Sequence, residues 1–98
     1  MNFREYLIEQ RIPSKAKRDI IEFIKNPPNS TQKYKIGDDT IIVKPSKDGV
    51  IFDLSAEMFE AQAALVDIID MLGGYKYKSK TSGNTVEITV IPKEKLKK

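Results

Sequence analysis

The apolar residues of this chain change from the spacing of a helix to that of a strand at a proline pair, and that change limits the folds the chain can adopt. Up to Lys25 the apolar side chains recur every three or four residues, as on one face of a helix. Pro27 and Pro28 stop this pattern, because proline donates no backbone hydrogen bond and restricts the residue before it. From Gln32 onward, short runs of alternating and β-branched residues are typical of strands. The chain therefore combines helices with a sheet.

Eight elements are predicted, in the order α-α-β-β-β-α-β-β. The predicted helices are a short one with Phe3, Tyr6, Leu7 and Ile8, one over about 15–25 capped by Ser14, and a long one over 56–72 capped by Ser55. The predicted strands are three within 33–36, 40–44 and 50–54, and a hairpin of 75–80 and 85–91. This order favours an α+β fold with the helices packed on one face of a four- or five-stranded antiparallel sheet. A length of 98 residues suits a single domain over 1–98, and residues 93–98 form a basic tail that is prone to fraying.

The amino acids that are missing exclude several kinds of chemistry. The chain contains no cysteine, histidine or tryptophan, so it has neither a thiol nucleophile nor an imidazole base. Asp38, Asp39, Asp48 and Asp53 could gather around a magnesium ion in a nuclease, but aspartate in hairpin turns also has a structural explanation. We therefore expect no enzyme activity, no metal site and no cofactor.

The N-terminal residues argue against export and membrane insertion. Charged and apolar residues are mixed from Arg4 and Glu5 onward, without the apolar run of a signal peptide. No stretch approaches the roughly 20 apolar residues of a membrane span. Together with the lack of cysteine, this predicts a cytoplasmic protein with no membrane partner.

Charge is distributed unevenly along the chain, and the most basic segment is the last. The net charge of +3 divides into +2 for residues 1–32, −4 for residues 33–74 and +5 for residues 75–98. Lysines can replace counterions along a phosphate backbone, which predicts a nucleic-acid-binding module. Lysines on an edge strand also prevent unwanted strand pairing and keep a protein soluble, and this alternative stays open. The candidate nucleic-acid-binding residues are Lys76, Lys78, Lys80, Lys93 and Lys95.

The long helix carries a second functional hypothesis, because all its charged residues are acidic: Glu57, Glu60, Asp67 and Asp70. They suit a protein-protein interaction adaptor or inhibitor of the phage, viral or archaeal accessory type. Such a protein would act through the acidic helix 56–72 or through a free strand edge. The same helix could pair with the basic hairpin of a second copy, which predicts a homodimer.

Overall fold

The computed structural model describes residues 11–96 and has the predicted α+β fold. The first predicted helix, which contains Phe3, Tyr6, Leu7 and Ile8, lies outside the described residues. From Ser14 onward the elements follow the predicted order. In chain order they are α1 (Ser14–Lys25), β1 (Gln32–Ile36), β2 (Asp39–Pro45), β3 (Val50–Ser55), α2 (Phe59–Leu72), β4 (Tyr75–Ser82), β5 (Thr85–Pro92) and a 3-10 helix (Lys93–Leu96).

The five strands form one antiparallel sheet in the order β1-β2-β3-β5-β4. Two-residue loops close the β1-β2 and β4-β5 hairpins, and each begins with a glycine at positive φ, Gly37 at 63° and Gly83 at 61°. Glycine adopts this conformation without a steric penalty, which is why it leads such tight turns. The chain passes through α2 from β3 to β4, and β5 then pairs with both β3 and β4, so β5 lies inside the sheet and β4 forms an edge.

The core lies on one face of the sheet, which we call the helix side. In β2, β3 and β5 every second residue is buried, and these residues form one cluster with the buried residues of both helices. Phe52 in the central strand is 0% exposed. Burying an apolar side chain of this size contributes roughly 1.5–3 kcal/mol. The cluster comprises Ile12, Ala16, Ile20, Ile24, Ile41, Val43, Val50, Phe52, Leu54, Met58, Ala61, Ala64, Leu65, Ile68, Ile69, Val86, Ile88 and Val90.

The turn between β2 and β3 lies between the strands predicted within 40–44 and 50–54, and it contains Gly49. The amide of Ser46 donates to the carbonyl of Gly49 over 3.0 Å, and the amide of Gly49 donates to the Ser46 hydroxyl over 3.0 Å. A Cβ atom on Gly49 would lie 2.0 Å from the carbonyl oxygen of Val90 in β5. Gly49 is therefore required by the close approach of two backbones.

Both predicted helix caps are wrong. Ser14 is the first residue of α1, and Pro13 occupies the cap position without a side-chain hydrogen bond. Ser55 ends β3, where it pairs with Thr85, and its carbonyl accepts the amide of Met58 over 3.1 Å. Because the sheet holds Ser55 in an extended conformation, α2 begins at Phe59 rather than at residue 56.

Tyr34 connects the edge strand β1 to α1. Its ring packs edge-on against Phe23, with the ring centroids 5.8 Å apart, and its hydroxyl donates to a carboxylate oxygen of Asp19 over 2.5 Å. This hydrogen bond, with a further one from Lys15, holds the pKa of Asp19 below its usual value. Burial, and then the bond to Asp19, raises the pKa of Tyr34 to about 12.

Candidate nucleic-acid interface

The face of the sheet opposite the core, which we call the outer face, is basic. Because side chains alternate along each strand, the lysines of β1, β2 and β4 all point away from the helix side. No helix among residues 11–96 packs on this face, and its edge lysines are exposed. The outer face carries six lysines and two carboxylates, a net charge of +4: Lys33, Lys35, Lys44, Lys76, Lys78 and Lys80, with Asp53 and Glu87.

Strand register places lysine at both edges of the outer face and carboxylates at its centre. One row of paired residues runs across all five strands: Lys33, Ile42, Asp53, Glu87 and Lys80. Asp53 and Glu87 occupy two of the three inner strands of this row, β3 and β5. The two cations at the ends are four strand spacings apart, about 19 Å at about 4.8 Å per spacing.

Lys44 forms ion pairs with both central carboxylates. Its Nζ lies 3.5 Å from Oδ2 of Asp53 and 3.4 Å from Oε2 of Glu87. Among residues 11–96 the other five lysines of the outer face form no ion pair, although Lys80 is directly opposite Glu87 in register. The unpaired lysines therefore lie along the two edges of the sheet, and the centre, with one lysine and two carboxylates, carries a net charge of −1.

Three of the predicted nucleic-acid-binding residues, Lys76, Lys78 and Lys80, lie side by side on exposed β4. Tyr75 and Tyr77 alternate with them and point to the helix side, as predicted. Tyr75 is half-buried, but Tyr77 is 40% exposed because α2 does not cover it. Since the tyrosines and lysines are on opposite faces, these rings cannot stack on bases held by the lysines.

The other two predicted residues, Lys93 and Lys95, lie at the end of the sheet in the 3-10 helix. The backbone amide of Lys93 donates to the carbonyl of Gly74 over 3.0 Å, and its ammonium donates to that of Gly73 over 3.3 Å. This segment, which was expected to fray, is thus bonded to the end of α2 as far as it is described. Both lysines line a shallow cleft of about 770 Å³, together with Lys25.

The four acidic residues predicted for protein interaction do not form one free surface. Arg11 binds two of them, with its Nη1 2.8 Å from Asp67 and its Nε 3.4 Å from Glu60. Glu57 precedes α2 instead of lying in its first turn, and Asp70 is exposed near its end. Arg11 thus neutralises part of the acidic character that the sequence indicated.

An apolar groove lies between α2 and β4 on the helix side. Its volume is about 470 Å³, and it is lined by Phe59, Ala63, Val66 and Tyr77. Phe59 is 72% exposed, and in the described part of the chain no other large apolar side chain has as high an exposed fraction. The sequence did not show whether Phe59 would face the core or the solvent.

The aspartates considered for a metal site are dispersed. Within the described range 11–96 no three acidic side chains lie close enough to hold a metal ion. Asp53 faces Lys44 instead, and Asp38 and Asp48 lie in turns.

Three lysines of the outer face, Lys33, Lys35 and Lys44, were not among the residues predicted from the sequence. Lys33 and Lys35 alternate with Tyr34 just as the β4 lysines alternate with their tyrosines. The alternation of lysine and tyrosine was therefore visible in both segments, but alternation does not reveal which distant strands share a face of the sheet. Only the strand order β1-β2-β3-β5-β4 and its register place these lysines beside those of β4.

The fold and the site define a class: a small α+β domain whose open sheet face carries lysine along both edges. No helix in the described part of the chain is long and apolar enough to cross a membrane. No protein family, curated protein sequence or solved structure shows a significant match to this chain. Function is therefore argued from the geometry of the site alone.

Proposed function

We propose that this protein is a non-enzymatic module that binds the phosphate backbone of nucleic acid through its outer face. One observation carries the proposal: Lys76, Lys78 and Lys80 are exposed, point the same way and have no ion-pair partner among residues 11–96. Their charge is therefore available to phosphates. Neutralising phosphates releases condensed counterions, and this favours binding whatever the base sequence.

Lys93 and Lys95 have a secondary part in this proposal. Tyr75 in β4 pairs with Pro92, so these lysines follow the end of the sheet at which Lys76 lies. They would extend the basic surface beyond that end. The ammonium of Lys93 already donates to a carbonyl oxygen, so we expect each of the two to contribute less than a β4 lysine.

The test is a fluorescence-anisotropy titration of labelled nucleic acid at low salt with the variant K76Q/K78Q/K80Q. Glutamine is preferable to glutamate, because a glutamate at position 80 would stand opposite Glu87. We expect the unchanged protein to bind. In a plot of log Kd against the logarithm of the salt concentration, the slope should be smaller by about 2.7 for the variant, because each phosphate contact contributes about 0.9 to this slope.

The matched control, K15Q/K17Q/R18Q, removes three cations of α1, which packs on the opposite side of the sheet. It should retain most of the affinity despite the same change in net charge. Absence of binding to any DNA or RNA, or equal losses in both triple variants, would contradict the proposal. Circular dichroism verifies that both variants are folded.

A second candidate function, a protein-interaction adaptor, is favoured by the unpaired edge of β4. Every residue of β4 after Tyr75 is exposed, and its outer backbone groups have no strand partner among residues 11–96. An extended segment of a partner could add to this edge, and acidic side chains would suit the adjoining lysines. Two β4 strands pairing with each other would instead bring six lysines together, which opposes pairing of identical edges.

Nuclease treatment separates the two functions. Capture of a partner that resists nuclease, together with slower hydrogen exchange of the β4 amides on binding, would support the adaptor. A complex that disappears on nuclease treatment would instead indicate nucleic acid.

The predicted homodimer belongs to the adaptor hypothesis, with the acidic helix of one copy against the basic hairpin of the other. Exposed Glu57 and Asp70 are the acids available for it, since Arg11 holds the other two. Light scattering after size exclusion should show a dimer that dissociates as salt rises, and a monomer at low salt would contradict it. A cytoplasmic location, inferred from the cysteine-free sequence, is part of the same proposal.

A further inference from the structure

We infer that the outer face binds double-stranded DNA, with the β1 lysines on the backbone of one strand and the β4 lysines on that of the other. This inference rests on the proposed function and specifies its ligand. It depends on three features of the outer face: where the cations lie, what separates them, and which side chains are absent from the face.

The cations form two separated groups. Lys33 and Lys35 lie on one edge strand, and Lys76, Lys78 and Lys80 lie on the other. Lys33 and Lys80 end one row across the sheet, about 19 Å apart. Two backbones that flank a B-DNA major groove about 12 Å wide are separated on this scale, and flexible lysine side chains accommodate the difference. A single backbone would reach one group and leave the other unused.

The centre between the two groups disfavours phosphate. Asp53 and Glu87 lie there, and a strand crossing the middle of the sheet would place its phosphates against these carboxylates. Lys44 neutralises one of the two charges, so the centre retains a net charge of −1. Phosphates are therefore stabilised at both edges and opposed between them, as expected when a groove faces the middle of the sheet.

The side chains absent from the outer face argue against single strands and RNA. Proteins that bind single strands stack bases on aromatic rings, but within residues 11–96 all strand aromatics lie on the helix side. Double-stranded RNA is recognised largely through its 2′-hydroxyls, which need free polar partners. The centre instead offers Ile42, Ile51 and Ile91, with few polar groups besides the hydroxyl of Thr89 and carboxylates that already pair with a lysine. DNA lacks these hydroxyls.

The test compares three probes of one sequence, a DNA duplex of about two helical turns, its single strand, and the matching RNA duplex, by anisotropy. We expect the DNA duplex to bind at least about tenfold more tightly than either of the others. The variant K33Q/K35Q should reduce the salt dependence of duplex binding by about 1.8, because it removes two phosphate contacts. The control K15Q/R18Q, in α1 on the helix side, should leave that dependence nearly unchanged.

The outcomes separate this inference from the proposed function. Binding of a single strand or an RNA duplex as tightly as the DNA duplex would overturn the inference. So would duplex binding that K76Q/K78Q/K80Q weakens but K33Q/K35Q does not. In each case nucleic-acid binding through the outer face would stand. If none of the three probes binds, the proposed function itself fails.

Discussion

Neutralising the two central carboxylates of the outer face should make the protein bind DNA more tightly. Lys44 forms ion pairs with Asp53 and Glu87 over 3.5 and 3.4 Å, so its ammonium group is not available to a phosphate. The variant D53N/E87Q keeps the size and shape of both side chains. It releases Lys44, and the net charge of the outer face rises from +4 to +6.

The size of the effect follows from the number of free lysines. Five lysines without ion pairs predict a salt dependence of log Kd of about 4.5, and a sixth raises it to about 5.4, at about 0.9 per contact. Taking 1 M salt as the reference, at which the counterion contribution vanishes, one added contact strengthens binding about eightfold at 0.1 M. Removing two negative charges near the phosphates also strengthens binding, so eightfold is a lower bound on the gain in affinity.

Stability should change little in this variant. The side chains of Asp53 and Glu87 are 20% and 37% exposed, and partly exposed ion pairs contribute about 0–1 kcal/mol. For a domain of this size each of the two pairs lost lowers the Tm by no more than about 4–8 °C. The DNA titrations therefore compare two folded proteins.

The assay is anisotropy with one DNA duplex across a series of salt concentrations. The control E57Q/D70N neutralises two exposed acids outside the outer face, and screening over a Debye length of about 10 Å limits its effect. If D53N/E87Q binds no more tightly than E57Q/D70N, then phosphates do not contact the outer face, and the reasoning above is refuted.

Three further predictions concern the fold, each measured by chemical denaturation. The variant F52A, in the core, should lose about 3–5 kcal/mol of stability, whereas I51A, on the outer face of the same strand, should lose about 1 kcal/mol; equal losses would contradict a one-sided core. G49A should lose at least about 2 kcal/mol because its methyl group would meet a carbonyl of β5, whereas G74A, which has open space around it, should change stability by less than about 0.5 kcal/mol. Stability should fall as pH rises from 10.0 to about 12, because the unfolded chain loses the Tyr34 proton that the folded chain retains, and Y34F should remove that part of the fall.

Most of the fold was predictable because short stretches of sequence indicate its helices and strands. The proline pair ends α1, and alternation with turn residues marks each strand between Gln32 and Pro92. The start of α2 was not predictable in the same way. Ser55 has the chemistry of a helix cap, but its pairing with Thr85 holds it in β3 and delays the helix. Tertiary pairing therefore decided a boundary that local preference had placed elsewhere.

The candidate site was only partly predictable, because a face of a sheet is defined by register and not by neighbours in sequence. The alternation in β4 correctly placed Lys76, Lys78 and Lys80 on one side. It could not show that Lys33, more than 40 residues earlier, would end the row that contains Lys80. Nor could it show that Lys93 would donate to the end of α2.

The net charges of sequence segments do not describe the surface that a polyanion would contact. The segment 33–74 has a net charge of −4, yet it contributes Lys33, Lys35 and Lys44 to the outer face. Its acids lie mainly in turns and on α2, with Asp53 the one that shares the outer face. Screening in salt confines electrostatic attraction to about 10 Å, so a phosphate responds to the face it touches and hardly to the far side. A net charge of +3 for the whole chain therefore coexists with +4 on a single face, and that face is the surface on which binding should be measured first.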